Sequence, residues 1–254
     1  VKTIINKFSS VLFNRGKHSM KRLRDVHSGD RAFIVATGPS LRVQDLDRLK
    51  NEVTFGCNKI YLAFSETDWR PTYYSVIDRM VAQNNQDEID KLSLKKIFSS
   101  VAKPYFRNST DIIWLNDLRS PMIEGERVFR FSTDVAKGTY GGYTVIYTQL
   151  QLALYMGITE VYLIGLDFDF TESGSTGEKT SAGEEILKSE GETNHFHPDY
   201  RPKGELWTVP NLEYQYKAFT VANRVFESNG RKIYNASRKT KLDAFPTINF
   251  DDVV

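Results

Sequence analysis

Residues suited to gripping phosphate and moving protons are the first feature of this chain. Thr37-Gly38-Pro39-Ser40 directly follows the apolar run Ala32-Phe33-Ile34-Val35-Ala36 and precedes a helical pattern through Leu41, Leu46 and Leu49. Glycine after a strand lets backbone approach a ligand, and the free N–H groups that open a helix suit phosphate. Ser40 offers a hydroxyl donor or a helix cap, so an ordinary strand-to-helix turn uses the same residues. The turn is neither GxGxxG nor a P-loop, which lowers the Rossmann dehydrogenases and P-loop nucleotidases. Asn58 ends the next apolar run, Val53-Thr54-Phe55-Gly56-Cys57, and Asp78 follows the run Tyr73-Tyr74-Ser75-Val76-Ile77. Strand ends line ligand crevices in open α/β sheets, and an amide there reads a base or ribose edge. The same asparagine also serves a plain turn.

A second glycine turn, Lys137-Gly138-Thr139-Tyr140-Gly141-Gly142-Tyr143-Thr144, opens the strongest helical segment, Thr144 to Met156. Its hydroxyls and backbone N–H groups make another anion cradle, with Lys137 available to neutralise phosphate. Asp167-Phe168-Asp169 follows a strand pattern, and two carboxylates two residues apart on one strand face share a hard cation. Such a pair arises readily by chance. His195 and His197 come after the polar stretch 171–193, beside Asp199 and Tyr200. Histidine is a natural base near neutral pH. The pair also has metal-ligand spacing, although no third ligand is evident and packed loop histidines look the same.

The elements that must position these residues alternate. Strand signals at 32–36, 53–58, 73–77, 96–100, 160–165 and 232–234 are interleaved with helix signals at 144–156 and 211–229. That order predicts an α/β, Rossmann-like fold with a mostly parallel sheet flanked by helices. Within 211–229, Leu212, Tyr216, Phe219, Ala222, Val225 and Phe226 are expected to face inward. Residues 101–136 predict irregular structure with short strands. The patternless polar stretch predicts a lid at about 171–205 within a single domain spanning 30–254.

Composition narrows the classes. The chain has 254 residues, 40% hydrophobic and 26% charged, with a net charge of +2. This supports one sizeable core and argues against a nucleic-acid binder. The single cysteine, Cys57, excludes an internal disulfide framework and a CxxC zinc site. No run reaches the roughly 18 to 20 apolar residues of a membrane span, and no secretion signal is evident, which gives a cytoplasmic expectation. Asn235-Ala236-Ser237 matches a glycosylation sequon and is read as chance on that basis. Residues 1–29 differ: Lys2, Lys7, Arg15, Lys17, Lys21, Arg22 and Arg24 alternate with apolar residues at helical spacing. This basic amphipathic segment suits the inner face of an anionic membrane, a helix packed on the domain, or a partner-facing arm.

The blocks Ile34-Val35-Ala36-Thr37-Gly38-Pro39-Ser40-Leu41, Cys57-Asn58-Lys59-Ile60-Tyr61 and Leu154 to Phe168 resemble, in this order, the bacterial family 42 sialyltransferases. They also resemble the related MptE-like domain (DUF115). Asn194-His195-Phe196-His197-Pro198-Asp199-Tyr200 is similar to the branch found in surface-polysaccharide loci. The resemblance implies a glycosyltransferase of surface polysaccharide or lipopolysaccharide synthesis. Its donor would be a CMP-activated, sialic acid- or Kdo-like sugar, its acceptor a glycan, and its assembly a homo-oligomer. Gly38, Ser40 and Asn58 would contact the CMP portion. Thr144 matches a donor-contacting threonine, whereas Val145 stands where the family has serine. A lid histidine, His195 or His197, would be the base, and Tyr140 or Tyr143 would steady the leaving phosphate. No cofactor or metal is required on this reading.

The nucleotide-binding candidates are therefore Thr37, Gly38, Pro39, Ser40, Asn58, Asp78, Gly141, Gly142, Thr144 and Asp167. Two rivals stand beside the transferase. One is an MptE-like pyrophosphokinase using ATP and Mg²⁺, with Asp78, Asp167 and Asp169 as metal ligands. The other is a non-catalytic nucleotide- or glycan-binding module of an envelope complex.

Overall fold

A computed structural model of the chain describes residues 20–107, 109–171, 175–179 and 185–254. Seven strands form its central sheet: β1 (Arg31–Val35), β2 (Val53–Cys57), β3 (Tyr73–Val76), β4 (Lys96–Ser99), β5 (Ile112–Leu115), β6 (Glu160–Ile164) and β7 (Lys232–Asn235). The order across the sheet is β7-β6-β1-β2-β3-β4-β5, and every neighbouring pair is parallel. The expected α/β architecture is what the chain adopts. Parallel strands covered on both faces are apolar throughout. In β1, Ala32 and Ile34 join one core cluster while Phe33 and Val35 join the other, following strand alternation.

The helices are α1 (Val43–Asp47), α2 (Arg79–Asn84), α3 (Gln86–Lys91), α4 (Val145–Tyr155) and α5 (Leu212–Ser228). Every residue of α4 is buried, and Gly157, at φ +90°, turns the chain from its end toward β6. Gln149 anchors α4 to the sheet by donating from Nε2 to the Gly56 carbonyl at 2.8 Å. In α5 the buried stripe is Gln215, Ala218, Phe219, Ala222 and Phe226, while Tyr216 is 40% exposed. The inward expectation for Tyr216 therefore fails. The i, i+3, i+4 stripe runs through Gln215 and leaves Tyr216 on the flank.

Three other local features become definite. The helix after the Gly-Pro-Ser turn is a short one, beginning at Val43 with Arg42 at the cap position, so Ser40 is not its cap. Ile112–Leu115, in the stretch expected to be irregular with short strands, is one such strand and joins the main sheet as its edge, β5. The lid region contains a three-stranded antiparallel sheet of Ser175–Lys179, Glu185–Lys188 and Leu206–Thr208. Residues 1–19, most of the basic amphipathic segment, lie outside the described residues. Residues 20–29 pack on the end of α4: His27 donates its N–H to the Met156 carbonyl and Gly29 to that of Gly157. Among the described residues no helix is long and apolar enough to cross a membrane.

After β1 the chain steps outward through β2, β3, β4 and β5, then returns to lay β6 on the other side of β1. The strand order reverses between β1 and β6. In open parallel sheets ligands sit outside the carboxyl ends of the strands at this kind of switch.

Candidate functional site

A cavity of about 580 Å³, including the part open to solvent, lies at that switch. Its walls come from the ends of β1 (Thr37, Gly38), β2 (Cys57, Asn58) and β6 (Gly165 to Phe170). The start of α4, Asn194 and His195 of the lid, and Gln215 of α5 complete it.

The β1 turn is built differently from a free anion cradle. A side chain on Gly38 would place its Cβ 2.0 Å from Asp167 Oδ2 and 2.6 Å from the Gly165 carbonyl. Glycine is needed there because β6 passes so close. Asp167 turns its carboxylate onto this turn, and the Ser40 N–H donates to both oxygens at 3.2 Å. The Gly38 N–H donates to the Gly165 carbonyl at 2.8 Å. The chain's own acceptors thus take N–H groups expected to hold phosphate. Burial raises the Asp167 carboxyl above its ordinary range, and the Ser40 N–H works against that rise.

Asn58 sits at φ +48°, a left-handed conformation that asparagine tolerates better than most residues. Its backbone carbonyl accepts from the Tyr74 hydroxyl. Its side-chain oxygen is buried and has no hydrogen-bond partner. A buried carbonyl oxygen left empty costs free energy, so it marks where a ligand donor fits. Cys57 beside it is pushed up to about 12 by burial and is a neutral thiol.

At the third wall, Thr144 caps α4, its hydroxyl oxygen accepting from the Ile146 N–H at 3.3 Å. Thr144, Val145 and Ile146 present the positive end of this eleven-residue helix to the cavity. The preceding Tyr143 holds φ +61°, and its carbonyl accepts from Gln215 Nε2 at 2.9 Å. Gln215 thereby fixes the backbone that aims α4.

The segment that follows β6 supplies the titratable group. The His195 ring stacks on Tyr200 with centroids 3.7 Å apart and planes 6° from parallel. Its Nδ1 lies 3.0 Å from Oε1 of Glu192, whose side chain is 1% exposed. Burial lowers the proton affinity of His195, and the Glu192 carboxylate only partly offsets this. Burial raises Glu192, but His195, the Asn194 N–H and Arg201 together outweigh it and the net shift is downward. The contact is one of charge, since His195 Nδ1 and Glu192 Oε2 are both buried without a hydrogen-bond partner among the described residues. The Thr37 hydroxyl donates to the Tyr200 oxygen at 3.1 Å, and the Phe196 N–H donates to the Thr37 carbonyl at 3.0 Å. Asn194 clasps Thr171 through two bonds, at 2.7 and 2.8 Å.

The cavity therefore gathers Thr37, Gly38, Asn58, Thr144, Asp167 and His195. Pro39 and Ser40 line an adjoining groove. The remaining candidates stand elsewhere. Asp78 caps α2, accepting from the Val81 N–H at 2.9 Å, because the chain leaves β3 directly into that helix. His197 Nδ1 accepts from the Asp199 N–H at 3.1 Å and caps the short turn Pro198–Tyr200. The Tyr143 ring packs with Phe129 and Tyr214. Tyr140 is held by Gln151, which bonds both its N–H and its carbonyl at 2.9 Å. Gly141 borders open space, and a Cβ on Gly142 would stand 2.4 Å from the Tyr147 ring, so the second glycine answers to packing. Lys137 pairs with Asp134 at 3.4 Å.

Asp167 and Asp169 do not share a face either. Gly165 at φ +65° and Phe168 at φ +56° break the strand, sending Asp167 to Ser40 and Asp169 to Lys241 Nζ at 2.9 Å. With Asp78 capping α2, the three carboxylates offered as Mg²⁺ ligands do not converge.

Sequence reasoning missed Glu192 and Gln215. Glu192 carried only the i, i+3 spacing to His195, inside a stretch without pattern. Gln215 was findable, because it is a polar residue on the same stripe as Phe219, Ala222 and Phe226.

Comparison with known proteins places these features in a family. Among curated proteins no sequence relative matches. Among solved structures, the MAf glycosyltransferase from Magnetospirillum magneticum AMB-1 superposes with a TM-score of 0.51 at 13% identity. The match covers 94% of this chain and 39% of that one, so the chain spans well under half of that enzyme and the likeness is one of fold. The Campylobacter jejuni sialyltransferase CstII, solved with the substrate analogue CMP-3FNeuAc, gives a TM-score of 0.43 at 12% identity over 86% of each chain. The profile of the family described as "6-hydroxymethylpterin diphosphokinase MptE-like" matches residues 6–173. That match spans more than half of the 254 residues, and the chain belongs to the MptE-like family.

Proposed function

We propose that this protein is a glycosyltransferase that takes its sugar from a nucleotide-activated donor, with a CMP-sugar as the specific candidate. The observation that carries the reading is one cavity lined by both an empty buried acceptor and a carboxylate-backed histidine. Asn58 Oδ1 accepts from a base amino group or a ribose hydroxyl. The N-terminus of α4 faces the nucleotide phosphate. His195 takes the proton from the acceptor hydroxyl as that oxygen bonds to the anomeric carbon, and the sugar–phosphate bond breaks with its electron pair going to the nucleotide. Glu192 steadies the imidazolium that results. Tyr200 and the Asn194–Thr171 clasp hold His195 in place while the lid limits water. His195 is preferred over His197, which is committed to capping a turn.

Family membership gives the pyrophosphokinase reading a claim of its own. That chemistry needs carboxylates gathered round Mg²⁺, and the arrangement of Asp78, Asp167 and Asp169 does not supply them. One titration compares the two. Thermal unfolding is followed with CMP, CTP, and ATP plus Mg²⁺, and then CMP-sugar hydrolysis is assayed in the wild type and His195→Gln. Stabilisation by cytidine nucleotides, and hydrolysis lost about a hundredfold or more in the variant, are expected. Stabilisation by ATP and Mg²⁺ alone, or full hydrolysis by His195→Gln, would reject the proposal.

A further inference from the structure

Beside the nucleotide cavity lies a groove of about 990 Å³, including its open mouth, between the Pro39–Arg42 turn and Arg238–Lys239. The two spaces share a wall made by Asp167, Asp169 and Asn194. A molecule in the groove therefore reaches the edge of the cavity without entering it.

The charges of the groove do not cancel. Asp167 is turned onto the Ser40 N–H, and Asp169 is paired with Lys241 at 2.9 Å. Arg238 is already held by Asp45 at 2.6 Å and Asp251 at 3.1 Å. Arg42 and Lys239 are exposed, and among the described residues neither has an ion-pair partner. Lys239 also lies within reach of the Asp167 and Asp169 charges, but with Arg42 and Arg238 the groove carries three cations to two carboxylates, and such a surface attracts an anion that presents a planar or tetrahedral set of oxygens.

We propose that this groove is the acceptor site and that it selects an acidic glycan, holding a sugar carboxylate or phosphate between Arg42 and Lys239. The assignment of acceptor to the groove rests on the transferase reading; the anion selectivity does not. The acceptor hydroxyl then enters the cavity past Asp169 and Asn194, while the nucleotide occupies the end lined by Asn58.

The test uses the full chain and three probes: sialyllactose for a carboxylate, glucose 6-phosphate for a phosphate, and lactose as the neutral control. Binding is measured by calorimetry for the wild type and for Arg42→Gln/Lys239→Gln, with CMP titrated separately. At least one acidic probe should bind the wild type about tenfold tighter than lactose, with the preference shrinking at high salt. The double variant should lose that preference and keep its CMP affinity. The better of the two acidic probes identifies the anion. Equal binding of acidic and neutral probes overturns the proposal. So does a double variant that loses CMP affinity by the same factor, because the groove would then serve the donor. Acidic sugars binding to a wild type that ignores CMP would keep the anionic-saccharide site and reject the cytidine donor, which separates the two claims.

Discussion

At the scale of single residues, Asn58 and His195 carry most of the argument. Asn58 combines a left-handed backbone with a side-chain oxygen that has no partner. Glycine adopts that backbone without strain, so Asn58→Gly separates fold from function. The variant should unfold within about 1 kcal/mol of the wild type and bind cytidine nucleotides about tenfold more weakly, read by denaturant titration and calorimetry. A matching loss of stability would mean that Asn58 is structural. For His195, burial lowers the pKa, so its neutral form, the base, prevails at pH 7. The acid limb of the rate profile should fall below the ordinary histidine value of about 6.5. Glu192→Gln removes a contribution that raises that pKa, so the limb should move further toward acid while the rate plateau falls. Linkage has the same sign: the unfolded chain takes up the proton first, and stability is lost as pH drops below the unfolded value. A rate limb above pH 6.5 would contradict the burial argument. Sequence showed both residues, because strand ends and a histidine-bearing lid are visible in residue types alone. It did not show which histidine lines the cavity, since that depends on His195 lying against Glu192 and on His197 accepting from the Asp199 N–H.

Among the elements, the two glycine turns look alike in sequence and differ in the fold. Gly38 lets β6 and Asp167 approach β1, and Gly142 makes room for the Tyr147 ring, whereas Gly141 faces open space. Gly142→Ala should therefore cost about 1–3 kcal/mol through overpacking. Gly141→Ala should leave stability unchanged or slightly raise it by restricting the unfolded chain. Equal effects in urea denaturation would show that the contact at Tyr147 is not what selects the residue. Strands β1, β2, β3, β4, β6 and β7 were legible because fully buried parallel strands are apolar on both faces. The edge strand β5 was legible only as one of the short strands expected within 101–136, since Ile112-Ile113-Trp114-Leu115 sits in a stretch of mixed turns, although its partner β4 is the strand just before it in sequence. Helix α5 was legible in extent and in the inward Phe219, Ala222 and Phe226, but the apolar Tyr216 was placed inward where the polar Gln215 lies.

For the molecule as a whole, the segment 185–208 is fastened by charge as well as by ring stacking. Lys59, just after β2, has a side chain 7% exposed and pairs with Glu205 at 2.9 Å. Glu205→Gln leaves that ammonium buried without its counter-charge, and a loss of about 3 kcal/mol is expected if the lid stays docked. Lys59→Met combined with Glu205→Leu removes the charge imbalance and should recover much of it. Thermal unfolding together with protease cutting within 175–205 measures both. Similar losses in the single and double variants would show that the ion pair does not hold this segment on the sheet. Composition indicated enough apolar residues for a sizeable core, which the sheet divides into a cluster on each face, and the polar stretch after β6 was read as a covering segment. Where that segment lands was beyond reach, because its anchors pair residues as far apart as Thr37 with Tyr200 and Lys59 with Glu205.

The reversal of strand order between β1 and β6 has a thermodynamic consequence. Gly38 and Asn58 belong to the part of the polypeptide laid down before the long return across the sheet, whereas Asp167, His195 and Gln215 belong to the part after it. Any molecule seated among them bridges this seam, and its binding free energy is added directly to the work of prising the halves apart. Saturating ligand should therefore tighten the centre of the sheet more than its β5 edge, a gradient that amide hydrogen exchange would resolve strand by strand.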